Sequence, residues 1–184
     1  MEKYFSDFWN DYSYIHNATK KLYILIEEYD DELSSFIQPI KEQRDALEHI
    51  VRAYNKFYCD KDSHISKIDE QYIKGNLSKA LGHNFRAFFD CADILSIIIR
   101  EKLSLSLSDF SYSEILSAWS DYEEKRLFLE DVPDKFAKLR TSKDVVKTSE
   151  DKVKMVDEYT KLIRDLMSIY KDFIRNIYPK LNKK

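Results

Sequence analysis

The sequence predicts an all-α fold, a bundle of five or six mostly long antiparallel helices. Three observations carry that expectation. Only two glycines and three prolines occur in 184 residues, too few for the turns of an all-β domain. Apolar residues make up 43% of the chain and recur in steps of three and four, the period that keeps one helix face apolar. Charged residues, 34% of the chain, fill the positions between them.

The first stepping pattern runs from Phe5 through Phe8, Tyr12, Ile15, Thr19, Leu22, Ile26, Tyr29, Leu33, Phe36 and Ile40. It continues through Leu47, Val51, Tyr54 and Tyr58, with Arg44 in one core-phase slot, so residues 3–58 read as helical. The expected arrangement is two helices broken between residues 30 and 39, with one long kinked helix as the alternative. Asp30 or Asp31 would cap the second helix, and Pro39 suits a first helical turn. Residues 59–66 are polar and read as a loop, and Ser66 with Asp69 resembles a capping box. A long helix is expected to about Leu103, with Ile73, Leu77, Leu81, Phe88, Cys91, Leu95 and Ile98 on its apolar stripe. Gly75 and Gly82 would allow a neighbouring backbone to come close.

Residues 104–113 alternate like a strand, but an isolated strand has no partner, so a loop is expected. Ser113 would cap a helix running to about Glu130, ended by Val132-Pro133-Asp134, with a short helix from Phe136 to Leu139. Residues 141–151, polar except for Val145 and Val146, read as a connection. The last helix carries the seam Val156, Tyr159, Ile163, Leu166, Tyr170, Phe173 and Ile177, which should pack on another helix of the same chain or of a twin. Pro179 ends it, and a basic tail of about residues 179–184 follows. No linker-like composition shift interrupts the chain, so a single domain over 1–184 is expected.

The net charge of −3 argues against coating nucleic acid electrostatically, and nothing signals DNA. Cys59 and Cys91 form no disulfide framework, and no Cys/His set has metal spacing. The N-terminal residues lack the apolar run of a signal peptide, and residues 94–99 are too short to span a bilayer. The expectation is a soluble, cytoplasmic chain without metal or cofactor and with no membrane association.

Two stretches stand out. Residues 46–54 and 80–88 both read Ala-Leu-x-His-x-x-Arg-Ala-aromatic, 34 positions apart. Arg44, in phase with Ile40, Leu47 and Val51, should point its guanidinium toward the core or an interface and meet an acid there. His49 shares a polar ridge with Asp45 and Arg52. His83, Arg86, Asp90 and Asp93 make a second ridge. If the two helices pair antiparallel, the ridges meet across a local pseudo-twofold as a buried network, an anion site or a general acid/base site. Arg52, His83, Arg86 and Asp90 are the candidate ligand-binding residues of such a site. The bland alternative is a set of solvated pairs along each helix. A di-metal carboxylate site is ruled out by Ala46 and Ala80, which stand where Glu-x-x-His would need glutamate. His16 and His64 stand alone and read as surface or cap residues.

Arg44-Asp45-x-x-x-His49 resembles the arginine-histidine motif of the HEPN superfamily of prokaryotic helical domains. The resemblance implies a dimeric, metal-independent ribonuclease. His49 would then be the general acid/base, Arg44 the stabiliser of phosphorane charge and Asp45 its orienter. This chain departs from the family pattern in carrying Asp45 where asparagine is usual, and in the motif's position on the second helical segment. Non-catalytic members of that superfamily act as binding or scaffold domains. The leading functional expectation is therefore association, as a homo-oligomer or with a protein partner in a bacterial, defence-type complex. A ribonuclease acting on RNA is the first alternative, and an anion or nucleotide sensor built on the paired His/Arg ridges is the second.

Overall fold

The structure is a computed structural model that describes residues 1–30, 36–59, 65–142 and 149–182. Every regular element among them is helical. In chain order these are α1 (Glu2–Tyr29), α2 (Ile37–Tyr54), α3 (Lys67–Leu107), α4 (Tyr112–Ala118), α5 (Tyr122–Ser142) and α6 (Ser149–Asp172). α2 runs into a wider π-helical turn at Asn55–Cys59. α6 runs into another at Phe173–Ile177, followed by a closing turn, Tyr178–Leu181. No described helix is long and apolar enough to cross a membrane. Asp31, His64, the Val145–Val146 pair, Lys183 and Lys184 lie outside the described residues.

The chain divides into two compact units. The first comprises Met1–Ile24 and Glu32–Cys91. Its core is built from Phe5, Phe8, Ile15 and Leu22 of α1, Ala46, Ile50 and Ala53 of α2, and Ile73, Leu77, Ala80 and Phe88 of α3. Asn84, fully buried, donates from Nδ2 to the Tyr12 carbonyl at 2.9 Å and pins α1 to α3. Thr19 occupies a core slot because its hydroxyl bonds back to the Ile15 carbonyl at 2.8 Å. The Ser66 box forms as expected. Ser66 Oγ accepts from the Asp69 amide at 3.1 Å, and Asp69 Oδ2 accepts from the Ser66 amide at 3.2 Å. Lys56 reaches Asp69 from the π turn, and its hydrogen bond, joined by those from Ser66, holds the Asp69 carboxyl at about 2.

The second unit comprises Leu25–Asp31 and Ala92–Lys184. Ile26, Leu95, Ile99, Leu103, Ile115, Trp119, Val132, Phe136 and the α6 seam fill its core. Val156, Tyr159, Ile163, Leu166, Phe173 and Ile177 are all buried there, as the periodicity predicts.

Several local expectations are corrected. α1 ends at Tyr29 and α2 begins at Ile37, two helices as expected and with Pro39 in the first turn of the second, but Phe36 and not an aspartate is at the N-cap. α3 continues to Leu107, because Leu103 is buried and holds that turn down, so no loop begins at Ser104. Ser111, not Ser113, caps α4, through a box in which Glu114 Oε2 accepts from the Ser111 amide at 2.9 Å. The helix expected through Glu130 breaks at Trp119, which leaves helical geometry (φ −131°, ψ 88°) to bury its ring against Phe173. α5 runs through Pro133 instead of stopping, with Val132 and Phe136 buried on either side of it. That burial offsets the roughly 3 kcal/mol a mid-helix proline costs. Pro179 opens the closing turn and does not end the helical path. A Cβ on Gly75 would meet nothing within 4 Å, and one on Gly82 would meet only the Arg86 side chain at 3.7 Å. Neither glycine marks a close backbone approach.

Candidate functional site

The phase of α2 departs most from expectation. Its buried face is Pro39, Glu42, Ala46, Ile50 and Ala53. Ile37, Ile40, Leu47, Val51 and Tyr58 are 64, 57, 59, 46 and 67% exposed. Arg44 is not in the core: its side chain is 70% exposed and pairs with neighbouring Asp45 at 2.7 Å. The reason lies in α3. Ala46, Ala53, Ala80 and Ala87 are all fully buried, so small residues make up part of the face that each of the two helices buries. The register that α2 takes against α3 turns its aliphatic stripe outward.

It also turns polar side chains inward, where α3 meets them. His49 Nδ1 lies 2.9 Å from Asn76 Oδ1, and Asn76 Nδ2 donates to the Tyr72 carbonyl at 2.9 Å. With the amide nitrogen committed to that carbonyl, the amide oxygen faces His49, so Nδ1 is the donor in this contact. His83 Nδ1 lies 2.8 Å from Glu42 Oε2 and 2.5 Å from Arg86 Nη2, and Arg86 Nε donates to the same Glu42 oxygen at 2.7 Å. Gln38 Nε2 donates to Glu42 Oε1 at 3.2 Å. The imidazoles of His49 and His83 stack with centroids 5.3 Å apart. Each histidine thus reaches the polar residue lying two turns before the other, the geometry of a local pseudo-twofold.

Glu42 is the hub. Burial pushes its carboxyl up, but hydrogen bonds from His83 and Arg86 and the attraction of their charges outweigh burial and hold it below its ordinary value. At the edge, Asp45 is likewise lowered, first by its hydrogen bond from Arg44 and more weakly by the fields of His83 and His49.

Of the residues expected to form a site, the structure brings together His49, His83 and Arg86, with Asp45 and its partner Arg44 at the rim. It does not bring in Arg52, which pairs along its own helix with Glu48 in the open. Asp90 acts on Tyr23 and Cys91 instead. Cys91 is a buried thiol pushed up to about 12, chiefly by burial. Glu42 and Asn76 were missed by sequence reasoning. The signal was present: they extend the Ala-Leu-x-His echo backward in register, each seven positions before its histidine.

Beside this cluster the exposed face of α2 forms one continuous seam. Ile37, Ile40, Arg44, Leu47, Val51, Tyr54 and Tyr58 alternate steps of three and four, the a/d register of a coiled coil. Tyr54 stacks on Tyr58 at 5.4 Å and accepts a hydrogen bond from Trp9 Nε1 at 2.7 Å, extending the apolar surface onto α1. Lys41 and Glu48 flank the seam on one side.

No family model, curated protein or solved structure matches the chain.

Proposed function

We propose that this protein acts by association and that its partner on α2 is a second copy of itself. The observation that carries this reading is the solvent-exposed heptad seam, since a run of large apolar side chains left open on one helix face is the usual mark of a contact surface. Charge complementarity selects the partner and its direction. When two α2 helices run antiparallel about a twofold axis midway between Arg44 and Leu47, Ile40 meets Val51, Ile37 meets Tyr54 and Arg44 meets Leu47 of the other copy. Glu48 of one copy then falls between Lys41 and Arg44 of the other, twice by symmetry. A parallel pairing would set Arg44 against Arg44 within the seam, so the antiparallel one is favoured.

Sedimentation of wild type, Leu47→Glu and Val51→Glu tests the reading. The expected result is a wild-type dimer and monomeric variants with unchanged helix content, because both positions are exposed in the single chain. A wild type that stays monomeric across the accessible concentration range overturns it.

A second reading, a metal-independent ribonuclease, rests on the stacked imidazoles of His49 and His83, two side chains of the general acid/base type held side by side. In this reading Arg44 and Arg86 supply positive charge for a phosphate. Cleavage of labelled RNA by wild type without metal, lost in His49→Ala at unchanged oligomeric state, supports it. Intact RNA with the wild type sinks it.

A further inference from the structure

A cavity of about 230 Å³ lies between α3 and α5 in the second unit, lined by Asp93, Ser96, Ile97 and Arg100 of α3 and by Pro133, Phe136, Ala137 and Arg140 of α5. Each set follows helical spacing, so one face of each helix supplies its wall. Ile97, Pro133, Phe136 and Ala137 make that wall largely apolar. Ser96 is 1% exposed, and its Oγ has no hydrogen-bond partner, an unsatisfied buried hydroxyl that requires a reason. Arg100 Nε donates to the Ser96 carbonyl at 3.3 Å, which anchors the guanidinium at the cavity, and among the described residues Arg100 pairs with no carboxylate. Arg140 is paired with Asp93.

We infer that this cavity binds a small organic carboxylate, held by the outer guanidinium nitrogens of Arg100 and by the Ser96 hydroxyl, with its apolar body against Phe136 and Ile97. A guanidinium offers five donors in a planar fork that matches a carboxylate, and the hydroxyl turns to donate as well. Two guanidiniums and one carboxylate leave one net positive charge, which suits a monoanion. Asp93 opposes the second charge of a phosphate. The volume corresponds to about eight waters at roughly 30 Å³ each, so the ligand is compact.

The test is an NMR titration of the full chain with benzoate, with inorganic phosphate as comparator, on wild type, Arg100→Gln and Ser96→Ala. The expected result is saturable benzoate shifts confined to residues 93–100 and 133–140, weakened about tenfold in Arg100→Gln and about threefold in Ser96→Ala, with phosphate binding more weakly than benzoate. Ser96→Ala removes a hydroxyl that bonds to nothing in the free chain, so its fold is retained and its binding loss is interpretable. Benzoate shifts that fail to saturate, or either variant binding benzoate as wild type does, overturn the site. Phosphate binding as tightly as benzoate overturns the ligand class.

Discussion

α2 and α6 carry the same pattern to opposite ends. Each presents seven residues in alternating steps of three and four, Ile37 to Tyr58 in one and Val156 to Ile177 in the other, and each runs into a π turn at its C-terminal end. In α6 the seam is the buried face: Tyr159 and Leu166 are fully buried, and the Tyr159 hydroxyl donates to the Phe136 carbonyl at 3.1 Å. In α2 the seam faces out, and a row of small and polar residues faces in. Periodicity therefore reports that a helix has an apolar face. It does not report whether the chain itself covers that face. For α2 the polar contacts come from α3, whose Asn76, His83 and Arg86 reach the other side of the helix from the aliphatic stripe.

The largest expected contrast is between matched truncations on the two seams. Leu166→Ala opens a cavity in a closed core and should cost about 3 kcal/mol of unfolding free energy. Leu47→Ala removes a side chain that is already 59% exposed and should change the stability of the single chain by less than about 0.5 kcal/mol. Urea titration of both at low protein concentration measures the difference. A cost for Leu47→Ala similar to that of Leu166→Ala would mean that something covers the α2 seam even in the single chain.

The same contrast explains what the sequence could disclose. The all-α class, the α6 seam, the Ser66 box and the apolar stripe of α3 were legible because each depends on local periodicity or a short-range cap. Of the two places expected for Arg44, the core is excluded, because the α1 stripe does not continue into α2 and each new helix sets its own phase. The meeting of His49 with His83 follows from the echoed stretches once the helices pair antiparallel. Glu42 escaped because a glutamate at helical spacing ordinarily reads as solvated; only the partners at positions 83 and 86 make it a hub. Trp119 and Pro133 misled in opposite directions, since tertiary burial broke one predicted helix and carried another through a proline.

The polar inner face of α2 should differ from the apolar one of α6 in its response to pH. Glu42→Gln leaves His83 and Arg86 without their carboxylate and should cost about 2 kcal/mol near neutral pH. Because Glu42 is held below its ordinary value of 4.5, its contribution is fully present above that value and is lost as pH falls through the lower folded-state value. The gap between wild type and Glu42→Gln should therefore narrow on acidification below about pH 4.5, whereas the gap for Leu166→Ala should not depend on this group. Denaturant midpoints taken across the acid range test this. A Glu42→Gln penalty that persists unchanged at low pH would mean that side-chain shape, and not the ionised hub, holds α2 to α3.

The smallest expected effect bears on direction. In the antiparallel arrangement Lys41 of one copy approaches Glu48 of the other at the rim, where an ion pair contributes roughly 0.2–1 kcal/mol. Lys41→Glu alone should weaken the dimer by setting two carboxylates together, and Lys41→Glu with Glu48→Lys should recover most of the loss by restoring opposite charges. The double variant also gives up the Glu48–Arg52 pair within each helix, but that pair is exposed at both ends, so its loss is minor. Dimer dissociation constants for wild type, both single variants and the double variant form one thermodynamic cycle, and low salt enlarges the signal. In a parallel dimer, Lys41 and Glu48 lie too far apart along the axis to couple. Additive single effects would then leave the α2 seam as the contact and reverse the direction assigned to it.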